Sequence, residues 1–454
     1  MTGLSDNDLQ ALRGVGDPPL EARLPPIGDG GPEFWQAYLG LAGRRGLDVC
    51  AHLDDPGVAD ENFVLSKGGA LRAVWGAAED LGRQIIDEGL PYRQLDHAQL
   101  LFGTYGQEIS AALLLAALPE AYAARWGSEV LYATGPLRSN PTRRVRGTAQ
   151  FLATVLTPPP KGHVWQDTGR AFRAVTGLRL FHHAVRQVFT APRADGAFRY
   201  QLSPENEVPI NQEDLLATRL MFSITVFEVL EKFGIVWPED SQLAYLQAWY
   251  VIGRFLGIGS DAALDKAGVL VGPCGQPQPE RRAAVEPPTV AGARALLEVL
   301  RRRQWPGVYP FRQTSEFRYR CATGGRDDAS LVQGRNLLRA LLQGLSGAMP
   351  ARSANWPLAV MRELVPPVVG YRLALGSNGA VLSALNNLPG RRAPVARFTA
   401  ISLPNRLGAR LLREMANEVA RNSVVAFLQS PDPPAFVVPG LEQWSVGVAA
   451  RGAP

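Results

Sequence analysis

Histidine and cysteine are scarce in this chain, with five histidines and three cysteines in 454 residues. Cys50, Cys274 and Cys321 form no CxxC pair, and so few cysteines in so long a chain do not build a disulfide framework. A reducing cytosol fits that usage. There is no HExxH motif, and His52, His97 and His163 lie scattered without paired cysteines, so no zinc site is expected. The phosphate loop, the dinucleotide fingerprint GxGxxG and the nucleophile elbow GxSxG are also missing, which removes the commonest nucleotide-binding and acyl-transfer signatures.

Long runs of one character are lacking as well. The 47 basic and 42 acidic residues are interspersed, and the pI of about 9.2 reflects a mildly basic exterior. The short runs RRVRG (Arg143–Gly147) and LRRRQ (Leu300–Gln304) have no interleaved aromatics, so no nucleic-acid partner is expected. The longest apolar run, ISAALLLAAL (Ile109–Leu118), falls well short of the roughly 20 residues that cross a bilayer and reads as a buried helix. No transmembrane segment is expected. The amino terminus has neither a basic start nor an apolar core, so no export signal and a cytoplasmic location are expected.

What remains is a globular balance, 46% hydrophobic and 20% charged, with helical periodicity throughout. In GGALRAVWGAAEDLGRQIIDEGL, residues Leu71, Val74, Trp75, Ala78, Leu81 and Ile85 fall at spacings of three and four, one apolar helix face. Similar patterns predict helices near 98–118, 143–156, 168–189, 212–234, 241–257, 291–303, 330–347 and 405–428. Alternating strand patterns are not found. The fold class expected is all-α, multi-helical, with additional helices around a core. Three regions are read: 1–64, a loop-rich segment and first helix, of which residues 1–31, rich in Gly, Pro and Asp, are expected to wrap loosely over the surface; 65–375, the main helical domain; and 376–454, a helical extension that either closes the core or offers a dimer surface. TPPPKG (Thr157–Gly162) breaks a helix, because successive prolines remove amide donors. Asn211 is placed to cap the next helix, with Asp214 in its first turn.

Two of the five histidines are adjacent, in LRLFHHAVRQ (Leu178–Gln187). On a helix Arg179, His182 and Arg186 project within about 60° of one another, and His183 points about 100° away from His182. One imidazole would then face a pocket flanked by two cations. Such a group is either a ligand for haem iron, with the arginines meeting propionates, or a hydrogen-bonded core residue; spacing alone leaves both open.

Four stretches in succession carry a more specific signal: RRVRGTAQFLATVL (Arg143–Leu156), RLFHHAVR (Arg179–Arg186), PINQEDLLATRLMFS (Pro209–Ser223) and LQAWYVIGRFLGI (Leu246–Ile258). In this order they resemble the latex-clearing-protein, or rubber oxygenase, family, which includes MpaB-type oxygenases of natural-product biosynthesis. The resemblance spans roughly residues 65–370. It implies an all-helical fold with a globin-like core holding b-type haem, and the use of dioxygen to cleave carbon–carbon double bonds in polyisoprenoid chains.

The family's histidine segment runs R-L-x-H-A-x-V-R. Arg179, Leu180, His182, Val185 and Arg186 match it, and His183 replaces the alanine. The resemblance therefore makes His182 the iron ligand, with Arg179 and Arg186 as cofactor-binding cations. The family's distal segment runs R-L-x-K-T; here Arg144 and Thr148 are kept, and Gly147 stands where the lysine would be, so that the distal face is more open. Arg144 and Thr148 are the expected catalytic polar groups, and Phe151, Leu152 and Val155 the apolar continuation of their helix. In NQEDL, the carboxylates either serve the first helical turn or orient the imidazole. Gly253 and Gly257 are expected to permit close helix approach. The expected partners are a small apolar, alkene-containing substrate and dioxygen, with a homodimer as an option. The alternatives are a haem peroxidase, hydroxylase or rearrangement enzyme, or a non-catalytic helical scaffold.

Overall fold

The computed structural model describes residues 4–24, 69–133, 141–159, 162–167, 169–190, 202–203, 208–270, 281–304, 329–365 and 406–428. Every regular element among them is a helix. Two short helices, α1 (Asp6–Arg13) and α2 (Pro18–Glu21), precede α3 (Gly69–Asp87). Helix α4 (Tyr92–Ala112) passes through a π-helical turn, Leu113–Ala117, into α5 (Leu118–Ala123). Then follow α6 (Gly127–Ala133), α7 (Pro141–Leu156), α8 (Arg170–Thr190), α9 (Gln212–Lys232) and α10 (Glu239–Phe255). Beyond them come α11 (Asp261–Lys266), α12 (Arg282–Val285), α13 (Val290–Gln304), α14 (Ala329–Gly347), α15 (Trp356–Leu364) and α16 (Arg406–Leu428).

The centre of the fold is α9, packed between α10, α13 and the π turn. Its sequence explains that place: Leu216, Leu220, Ile224, Val226 and Val229 are apolar on more than one face and are nearly or wholly buried, the pattern of a helix covered on all sides. As read from the sequence, Asn211 caps α9, its side chain accepting the Asp214 amide at 2.9 Å. Along α4, α10 packs on one side and α16 on another, and α16 also contacts α7. Of the two roles left open for the carboxy-terminal helix, packing on the core is the one described; the rest of that region, 376–405 and 429–454, lies outside the described residues.

The apolar run Ile109–Leu118 is part of a longer helical stretch. Counted through the π turn, Tyr92–Ala123 is long and apolar enough to cross a membrane, and 56% of its most apolar window is buried inside the fold. Ile109, Leu115, Ala116 and Ala117 have no exposed surface.

The amino-terminal segment departs from the sequence expectation of a loose surface wrap. Leu9 and Leu20 have no exposed surface and Leu12 only 1%. Arg13 donates to Glu213 (3.2 Å) and Asp214 (3.0 Å) at the start of α9, and its guanidinium lies 4.3 Å from the Trp126 ring centre. Asp17 accepts from Arg179 Nε at 2.6 Å and Nη2 at 2.7 Å. The Gln212 side chain donates to the carbonyls of Gly16 and Gly257 and accepts from the Gly259 amide. Composition had suggested a loop because Gly14, Gly16, Pro18 and Pro19 are punctuation residues. In place, they let the backbone thread closely between α8 and α9: a Cβ on Gly16 would lie 3.0 Å from the Arg186 side chain, and one on Gly257 2.7 Å from the Asp17 carboxylate. The glycine at 257 also sits at φ +78°, where a side chain is strained.

Burial alone would push the Asp17 carboxyl up, but the Arg179 guanidinium holds it below the usual carboxylate range. Removing one member of such a pair strands the other charge. Asp17→Ala should lower unfolding free energy by about 3–5 kcal/mol in urea titration, and adding Arg179→Met should recover part of the loss. A change under about 0.5 kcal/mol, the size of an ordinary surface substitution, would contradict this packing.

Candidate functional site

Four helices each turn one stripe toward a common cavity of about 140 Å³. From α8 come Leu178 and His182, four residues apart; from α7, Gly147, Thr148 and Phe151. Helix α9 supplies Leu215, Thr218, Arg219 and Phe222, and α10 supplies Trp249, Ile252 and Gly253. The spacings of three and four are those of a single helix face. His182 is half-buried and is the one imidazole in the lining. A second, larger chamber of about 610 Å³ lies beyond Thr148 and Phe222, which line both voids.

The two adjacent histidines are divided as the sequence suggests, but the company they keep is reversed. His182 shares its stripe with Leu178. His183 is 2% exposed and turns toward the amino-terminal segment together with Arg179 and Arg186. Arg179 is committed to Asp17, and Arg186 donates to the Ile210 carbonyl at 3.0 Å; neither lines the cavity. The expectation that Arg179, His182 and Arg186 present one pocket-facing surface is therefore corrected. The reason is geometric: Arg179 is about as close in helical angle to the residue four positions on as to the one three on. The buried carboxylate of Asp17 draws the 179–183–186 side inward. Ile210, whose carbonyl receives Arg186, has φ 52°, a costly conformation for a β-branched residue.

Thr148 and Phe151 stand in the cavity wall as expected, while Leu152 lines the larger chamber and Val155 is wholly buried in the core. Arg144 lies one turn before Thr148 on α7, and its side chain lies outside the described residues. The NQEDL carboxylates do not reach the imidazole. Glu213 pairs with Arg13 (3.2 Å) and Arg303 (3.0 Å), and Asp214 with Arg13, so the first-turn reading is the one observed.

Arg219 was not singled out in the sequence, yet it is the charged group of the cavity wall. It is 3% exposed; Nη2 donates to the Val285 carbonyl at 2.7 Å, Nη1 pairs with Glu286 at 3.1 Å, and the guanidinium lies 4.6 Å from the Tyr250 ring centre. Its Nε has no hydrogen-bond partner. Gly253 is expected to allow close approach, and does: a Cβ there would fall 2.6 Å from Arg219 Cδ. The signal that could have found it is a polar pair, Thr218 and Arg219, within the stripe running from Leu215 to Phe222.

Residues 97–380, well over half the chain, match the family described as ER-bound oxygenase mpaB/B'/Rubber oxygenase, catalytic domain. The chain belongs to this oxygenase family. The match includes all four helices of the cavity and stops before α16. A solved structure described as latex clearing protein LCP in the closed state is similar at 18% sequence identity, covering 84% of this chain and 90% of that one, with a TM-score of 0.49. No curated protein matches the chain significantly. Among the described residues of this oxygenase-family chain, no three His, Cys, Asp or Glu side chains group as a metal site. Within the cavity, then, any metal would rest on the single imidazole.

His183 supplies a pH signature. Burial, aided by the Arg186 charge and opposed by Asp17, pushes its pKa from 6.5 down to about 3. As pH falls the unfolded chain takes up this proton first, so the stability tied to the neutral ring is intact above pH 6.5 and is lost toward pH 3. Between about pH 6.5 and pH 4.5 the wild type should lose up to about 1.4 kcal/mol per pH unit that His183→Gln does not. Parallel urea midpoints in the two proteins across that range would mean that the ring is not buried in its neutral form.

Proposed function

We propose that the protein is a b-type haem-dependent oxygenase that uses dioxygen on an apolar, alkene-containing small molecule, an isoprenoid or another natural-product intermediate. The observation that carries this reading is the placement of His182. It is the one imidazole on a largely apolar cavity, at the position where the family's pattern has its iron ligand.

The residues present fit the group. A neutral imidazole is a good axial ligand for haem iron. Gly147 and Gly253, on two of the facing helices, add no side chain to the space. The unpartnered Nε of Arg219, buried in the wall, is a donor suited to a propionate. It takes the role that the sequence had given to Arg179 and Arg186. The cavity at His182 is below the range of about 300–1,000 Å³ usual for ligand sites, and enters it with the chamber that shares Thr148 and Phe222.

In this reading His182 would hold the iron, with Leu178, one turn earlier on the same helix, beside it in the cavity wall. When bound, haem supplies the electronic chemistry of dioxygen use. Phe151, Phe222, Trp249 and Ile252 keep water from the reacting centre, which strengthens every polar interaction inside. Thr148, on the helix across from His182, can donate its hydroxyl proton to charge that develops there. Arg144, one turn away, is assigned the same task. Gly147 leaves that side without the family's lysine, so access to it depends on Thr148 and on the chamber behind it.

Protein purified from haem-supplemented expression should show a Soret band. His182→Ala should lose it and His183→Ala should keep it; the reverse pattern would overturn the ligand assignment. Thr148→Val should keep haem content and lower turnover by about 10²-fold, the scale of one lost transition-state donor. Full turnover in that variant would remove Thr148 from the mechanism.

A further inference from the structure

The chamber behind Thr148 is built from irregularities in one long helix. At Tyr105 the backbone of α4 leaves helical geometry (φ −118°, ψ 23°), between Gly103 and Gly106, and about two turns on it passes into the π turn at Leu113–Ala117. Kinks at glycine and π turns are the recognised ways a helix bends, and π turns gather at functional sites. Gly103, Gly106, Leu113 and Leu114 all line the chamber, and a Cβ added at either glycine would meet no atom within 4 Å. The α4 side is therefore shaped as a mouth. Gly103, Thr104 and Gln107 are exposed there, while Leu113 and Leu114 are buried behind them.

The rest of the wall comes from α7 and, through Ala420 and Arg421, from α16, which lies beyond the residues that match the family. Helix α16 brings three polar side chains with different duties. Arg413 and Asn417 are taken up by the Glu108 carboxylate, at 2.8 Å and 2.9 Å. Glu108 is thus neutralised where it borders the chamber. Arg421, two turns beyond Glu414 on the same helix, lines the chamber, is exposed, and has no ion pair or hydrogen bond among the described residues. The chamber consequently combines an apolar interior, a balanced acid–base pair and one uncommitted guanidinium at its edge. Guanidinium groups bind carboxylates in a bidentate fork, and an apolar body with one fixed charged end is what such a shape recognises.

We propose that the chamber binds a monocarboxylate with a long apolar body, that Arg421 holds its carboxylate, and that the body runs inward past Leu114 and Leu152 toward Thr148. This rests on the oxygenase reading for its purpose, since it names the substrate class of that site, but its test does not use turnover. The step assigned is binding alone.

Dodecanoate and 1-dodecanol share a chain and differ in charge. Binding of each to the full-length, haem-loaded protein should be measured by calorimetry, and again for His182→Ala. Dodecanoate should bind at least 10-fold tighter than the alcohol in both proteins. Arg421→Gln should erase that preference and leave alcohol binding within 2-fold. Gly106→Trp, whose side chain enters open space, should melt near the wild type and weaken both ligands more than 10-fold. Equal affinity of the two probes in the wild type, a preference that survives Arg421→Gln, or no detectable binding of either would overturn the proposal. Loss of the Soret band with probe binding intact would strike the haem reading and leave this one standing.

Discussion

The buried pair between Asp17 and Arg179 fixes the orientation of α8, and through it the site. Both side chains are almost wholly excluded from solvent, at 1% and 3% exposure. A charge so placed is tolerated only when paired and hydrogen-bonded. The pair ties the amino-terminal segment to one side of α8 and gathers His183 and Arg186 on that side. The remaining face, carrying Leu178 and His182, is the one left for the cavity. Gln212 and Arg13 extend the same tie to the start of α9, so that the two helices bearing the imidazole and Arg219 are referenced to one strip of backbone.

A second constraint acts along α9. Most of this helix is buried, so the few polar groups it carries inward must be satisfied by neighbours. Thr225 donates to Glu120, which is itself held by Arg301 at 2.6 Å and 3.0 Å. Arg219 is only partly satisfied, and it alone of these lines the cavity. That contrast separates polar groups serving the fold from one available to a ligand. Small residues contribute by omission, since Gly253 lets Arg219 lie against α10 and Gly147 adds no side chain to the cavity wall.

Much of this was legible in the sequence because helical periodicity is a local property. The helices expected near 143–156, 168–189, 212–234 and 330–347 occur at 141–156, 170–190, 212–232 and 329–347. The proline break after Leu156 and the Asn211 cap were read from residue chemistry alone. His182 and Thr148 could be named because a motif fixes them relative to their neighbours. What could not be read was long-range pairing. Nothing in RGVGDPP announces that its arginine meets Glu213 or that its aspartate meets Arg179, 162 positions away. The same gap hid Arg219, whose surroundings come from Val285, Glu286 and Tyr250. The face of α8 given to Arg179 and Arg186 was misread for that reason: helical angle allowed two groupings, and only a distant carboxylate chose between them.

If the protein is the haem oxygenase proposed, His182 is the one cavity side chain that would bind its iron. Crystals of the haem-loaded protein, measured on either side of the iron absorption edge, test it most directly. One anomalous peak is expected within bonding distance of a ring nitrogen of His182, on the side of α8 that faces Thr148. A peak at His183, or at a surface histidine with none in the cavity, would contradict it.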